Sequence, residues 1–139
     1  MKILFVMFLV FSSVYASKFA TATKVSGKVI AKKAGEFISI QTGAELDDAM
    51  VLMTQKDSSV TLIFSDMSKM VLGANAVLNL KKYIFQPQKD EYEFDLFLEE
   101  GALSFESGKI SDLAPEKFTL KTPDGTVAIR GTKFFVKVQ

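Results

Sequence analysis

The chain contains no cysteine and no histidine. Without them there is no Ser-His-Asp triad, no Cys-His dyad, no ordinary zinc site and no haem held through histidine. Catalysis would have to rest on carboxylates, lysine, tyrosine or serine, and the expectation is a protein that is not an enzyme and uses no cofactor. The missing cysteines also exclude disulfides, so a fold outside the cytoplasm must be held by packing alone. Arginine is nearly absent: Arg130 stands alone, with lysine at every other basic position. Excess charge is lacking too, with a formal net charge of +1 that falls to zero once Lys2 is removed. Nothing in that balance points to nucleic acid or to an anionic membrane surface.

Long apolar runs are limited to Ile3–Phe11. That is far short of the roughly 20 residues needed to span a bilayer. Met1-Lys2 before it and Ser12-Ser13-Val14-Tyr15-Ala16-Ser17 after it read as the charged start and small-residue cleavage site of a signal peptide. The expected division is a signal peptide over residues 1–16 and a single β domain over 17–139, with Ala20 or Ala22 as fallback cleavage points. No cysteine follows the apolar run, which excludes lipid attachment there. The protein is expected to be exported, periplasmic or secreted, with no integral membrane segment after cleavage.

What is present is alternation. Val60, Leu62 and Phe64 alternate with Ser59, Thr61 and Ile63; Leu78, Leu80, Lys82 and Ile84 alternate with Val77, Asn79, Lys81 and Tyr83. Tyr92, Phe94, Leu96 and Leu98 alternate with the mostly acidic set Glu93, Asp95, Phe97 and Glu99, the pattern of a strand buried on one face. Turn signals stand between such segments: Ala34-Gly35, Gln55–Ser58, Ser65–Ser68, Gly73-Ala74-Asn75 and Gly101. Lys24–Lys33 reads as a first strand with an irregularity at Gly27, and Gly108 opens a loop through Ala114-Pro115. The spacing predicts about ten short strands in an all-β sandwich or compact roll, with a short β-solenoid as the alternative.

The closing stretch breaks its own alternation. Apolar residues sit at odd positions in Val127 and Ile129, then at even positions in Phe134, Val136 and Val138. A change of parity means that the pleat is interrupted, and Arg130-Gly131 is the predicted bulge. A buried arginine there would need carboxylate or carbonyl partners. Its structural role, a lock using Asp66, Glu99, Glu100 or backbone carbonyls, is preferred to recognition of an anionic ligand. Arg130→Lys would then lose stability, because lysine lacks the planar fork.

These pieces resemble the FecR domain, a periplasmic all-β domain. The resemblance is carried by Ser26-Gly27-Lys28-Val29, Gly43-Ala44-Glu45-Leu46, Ser59–Ser68, Gly73–Leu78, Leu96–Leu103, Gly108-Lys109, Thr122-Pro123 and Ile129–Phe134. Its most specific part is the closing set Thr122, Pro123, Arg130, Gly131, Thr132 and Phe134. The family's regulators place an anti-sigma segment and a membrane helix before the domain, whereas this sequence begins with a signal peptide. The family turn Asp-Gly-Ser here reads Asp66-Met67-Ser68, and a methionine is expected to force a different turn type, avoiding positive φ. The resemblance implies a protein-binding or envelope-sensing module and no reaction.

Surface candidates are fewer. By parity, Tyr83, Phe85, Phe97 and Phe135 point outward and could form a platform for a partner strand or for sugars. The plainer expectation is local cover by a second sheet or a loop. The partner would be an envelope protein, or, in the alternative of a carbohydrate or peptidoglycan-binding module, a glycan. Glu93, Asp95 and Glu99 share one face, which suits a solvated surface better than the opposed carboxylates of a glycosidase. Asp47-Asp48 and Asp57 lack a calcium-loop pattern, and no metal site is expected.

Overall fold

Alternation becomes twelve strands among the residues described by the computed structural model, 20–127 and 133–139. In chain order these are β1 (Ala20–Ser26), β2 (Val29–Lys33), β3 (Glu36–Ile40), β4 (Glu45–Leu46), β5 (Met50–Thr54) and β6 (Ser59–Phe64). Then follow β7 (Lys69–Leu72), β8 (Val77–Gln86), β9 (Glu91–Glu106), β10 (Phe118–Thr122), β11 (Gly125–Val127) and β12 (Lys133–Val138). One layer runs β4-β1-β6-β7-β9-β12 and the other β3-β2-β5-β8-β9-β10-β11. All these pairings are antiparallel except β9 with β10.

The two layers are one sheet folded lengthwise. β1 bends into β2, β5 into β6 and β7 into β8, while β9 passes from one layer to the other without stopping. Hydrogen bonds join successive bends: Gln55 N–H donates to Lys28 O at 3.1 Å, Asn75 N–H to Gln55 O at 3.2 Å and Gly73 N–H to Ala102 O at 2.8 Å. Two buried hydroxyls satisfy what the bends leave over. Thr54 Oγ1 donates to Gly73 O and accepts from Ala76 N–H, while Ser58 Oγ donates to Lys56 O and accepts from Lys28 N–H. Buried backbone groups need such partners, so each bend is held by polar contacts as well as by packing.

β9 shows why a bend must occur where it does. Phe94, Leu96 and Leu98 are buried at even positions, then Leu103 and Phe105 at odd ones. Gly101 lies between them with φ +91°, and a Cβ there would come within 2.5 Å of Ala76 Cβ. A glycine at position 101 predicts a turn between two strands; instead the strand runs through it and changes faces. Gly27 acts similarly at the first bend, with φ +72° against Ser58.

Rings from both layers meet in the core. Phe94 lies 4.7 Å from Phe64, 4.9 Å from Tyr83, 5.0 Å from Phe118 and 5.7 Å from Phe105, measured between ring centroids. Burial of these side chains is the main favourable contribution to folding, each worth about 1.5–3 kcal/mol or more. The architecture is all-β, as the alternation requires, in the form of a folded roll. The solenoid alternative does not hold, because successive layers are antiparallel rather than stacked parallel coils. The loop after Gly108 also holds a helical turn, α1 (Ile110–Leu113), whose Ile110 is buried.

Candidate functional site

Asp66 is a fully buried carboxylate, with the equally buried Ser68 beside it. A buried charge is tolerated only when donors surround it. Here Oδ1 accepts from Ser68 N–H at 3.1 Å, and Oδ2 accepts from Ser68 Oγ at 2.7 Å and from Ile110 N–H at 3.0 Å. The Tyr83 hydroxyl accepts from Asp66 N–H at 3.0 Å and donates to Oδ1 at 3.3 Å. Asp66 O accepts from Lys109 N–H, and Gly108 N–H donates to Ser68 Oγ. One side chain thus ties the β6–β7 turn, the start of α1 and β8. Gly108 packs so closely on this turn that a Cβ would overlap the Asp66 and Ser68 backbone.

Met67 sits at the apex with φ +69° and is 68% exposed. The expected change of turn type does not occur. The Asp66 bonds on both sides of the apex hold the left-handed conformation, and methionine bears the strain in place of the family's glycine.

Tyr83 was expected to point outward, and the structure turns it inward. The β8–β9 register shifts between Leu80 and Lys82, so the pleat changes parity at this bulge. Beyond it Tyr83 and Phe85 share a face with Phe94 and Tyr92, and Lys82 and Ile84 take the outer face with Asp95 and Glu93. The signal was legible: the apolar pairs Leu78/Leu80 and Tyr83/Phe85 differ in parity, as Val127/Ile129 and Phe134/Val136 do.

Burial pushes the Tyr83 phenol above its ordinary value of 10.0, and the neighbouring Asp66 charge adds to the rise. The folded state therefore keeps this proton at a pH where the unfolded chain has lost it. Stability from this group is intact below about pH 10 and falls as pH rises further. Urea unfolding midpoints for wild type and Tyr83→Phe between about pH 8 and 11 should diverge in slope, with the wild type falling more steeply. Equal slopes would refute the coupling.

The other proposed surface aromatics do not converge. Phe85 is half-buried against Tyr92, 5.7 Å between centroids. Phe97 lies on the outer face of β9 under the Lys81 ammonium, 5.4 Å from the ring centroid. Phe135 is 69% exposed on the other layer. No single platform holds the four. Glu93 pairs with Lys82 at 3.2 Å on the outer face, beside a depression of about 280 Å³ lined by Tyr92, Asp95, Glu116, Lys117 and Lys121 among others. Asp47 is paired with Lys33. Among the described residues no group of three or more acidic side chains is placed to hold a metal ion.

A family model described as FecR protein matches residues 50–139, from β5 to the last residue. The chain belongs to the FecR family. Comparison with curated proteins finds no match, and neither does comparison with solved structures. Strands β1 to β4 lie before the matched FecR region, yet they continue both layers without a break. In the closing FecR motif, Thr122 Oγ1 accepts from Asp124 N–H and donates to Gly125 O, so Thr122 and Pro123 shape the β10–β11 turn. Phe134 is half-buried, 5.3 Å from the Phe105 ring, and anchors β12 to the core. Arg130, Gly131 and Thr132, with the predicted bulge and lock, lie outside the described residues.

Proposed function

We propose that this FecR-family chain is a non-enzymatic module of the cell envelope that is exported and binds another protein. The carrying observation is that two of the four strands that end a layer among the described residues, β3 and β12, each carry an exposed aromatic: Phe37 at 66% and Phe135 at 69%. Terminal strands offer backbone donors and acceptors, and exposed rings beside them add apolar contact for a docked segment. The polar network at Asp66 faces inward, so it serves to hold the turns in place rather than to meet a substrate.

Export is supported by the charged start, the short apolar run and the small residues ending at Ala16. Ala20 and Ala22 are buried in β1, and a cut after either would remove part of that strand. Mass spectrometry of the periplasmic fraction should find Ser17 as the first residue. A cytoplasmic protein retaining Met1 would defeat this reading. Crosslinking the protein in envelope extracts, beside a glycan array, tests the partner class. A defined protein adduct is expected; retention on glycans without any protein adduct would favour the carbohydrate alternative instead.

A further inference from the structure

We infer that the open edge of β12 takes up an extended strand of another protein, one presenting an apolar residue to Phe135 between acidic residues facing Lys133 and Lys137. This rests on the protein-binding reading above and gives it a place and a chemistry. Among the described residues β12 pairs only with β9, and no described residue takes up the N–H and C=O groups of its other edge. Apolar cover is incomplete on both of its faces. Phe134 and Val136 are half-buried against the core, while Phe135 stands exposed on the outside. A further strand, about 4.8 Å away, would cover both rows at once.

Charge selects the occupant. The outward row of β12 reads Lys133, Phe135, Lys137, and the β9 residues opposite are Glu106, Ser104 and Ala102. Beyond them on β7 lie Lys69, opposite Glu106, and Val71, opposite Ser104. Ser104, opposite Phe135, borders with Glu106 a depression of about 140 Å³ between Lys69 and Lys133. A second copy of the same edge, set antiparallel about Phe135, would place Lys133 against Lys137 twice. Like charges directly opposite are destabilising, so the lysines reject self-pairing. An acidic strand meets the same row with favourable pairs at both ends.

The probe is a synthetic peptide alternating aspartate, valine, phenylalanine, valine and aspartate, capped by serines and followed by fluorescence anisotropy with the whole protein. Saturable binding is expected, weakened about tenfold or more in Lys133→Glu/Lys137→Glu. A peptide with lysine in place of aspartate should recover binding to that variant. N-methylation of one alternate set of peptide amides should abolish binding while methylation of the other set spares it, which a charge-only contact would not show. Circular dichroism melts verify folding, with Phe135→Ser as a second variant should the double one unfold. No saturable binding, indifference to charge reversal, or a wild-type dimer in sedimentation that Phe135→Ser dissolves and Lys133→Glu strengthens would each overturn the inference. Peptide failure alongside a protein adduct removes the β12 edge alone; loss of both removes the protein-binding reading as well.

Discussion

Asp66→Ala should destabilise the protein by about 3–5 kcal/mol, enough to unfold much of it at working temperature. The substitution takes away a carboxylate that accepts four hydrogen bonds at a site with no solvent exposure. Ser68 N–H and Ile110 N–H then stay buried without a partner, each at a cost of about 1–3 kcal/mol. Met67 also loses the contacts that hold its left-handed backbone, so the turn has a second reason to open. Asp66→Asn is nearly isosteric and keeps one acceptor, but its amide group faces donors. Its loss should fall between wild type and alanine. Urea denaturation followed by tyrosine fluorescence reads both, because Tyr83 reports from inside the junction. An alanine variant within about 1 kcal/mol of wild type would show that water, or a shift of the turn, replaces the carboxylate.

Gly101→Ala is the second large effect, and its cause is steric. The residue needs φ +91°, which an L side chain adopts only with strain. Its Cβ would lie 2.5 Å from Ala76 Cβ and 2.7 Å from Ala76 Cα. Ala76 is itself fully buried, and its N–H is bound by Thr54 Oγ1, so neither side can retreat without breaking a bend. Together these costs should come to about 3 kcal/mol or more. Ala76→Gly in the same chain removes the Cβ contact and leaves the φ strain and the close Cα. The double variant should therefore regain part of the loss. Complete recovery would mean that conformation costs nothing there; no recovery would mean that the clash lies elsewhere.

Legibility in the sequence followed the length scale of the physics. Alternation is set by the pleat itself, so Val60–Phe64 and Phe94–Leu98 could be assigned to buried rows without coordinates. The missing cysteine and histidine excluded disulfides and whole classes of chemistry by composition alone. Parity breaks were readable where glycine marked them, but the meaning of a break was not. Gly101 was expected to end a strand and instead lets one strand change layers, because the deciding contact is Ala76, twenty-five residues earlier. The break at Lys81-Lys82 carries no glycine and shows in the sequence only as a change of parity between Leu78/Leu80 and Tyr83/Phe85, so uninterrupted alternation puts Tyr83 on the wrong face.

The sequence by itself determined an all-β chain with glycine-marked turns and the FecR motif order, since each depends on neighbours one to four residues apart. Only the tertiary structure decided that the sheet folds on itself along a line of bonded bends. It alone showed that Asp66 binds partners as distant as Ile110. It also separated the four aromatics, packing Phe85 against Tyr92 and leaving Phe135 exposed on a strand that, among the described residues, pairs only with β9. Such outcomes depend on which bent strand packs beside which, and residues forty positions apart leave no local pattern that could announce their meeting.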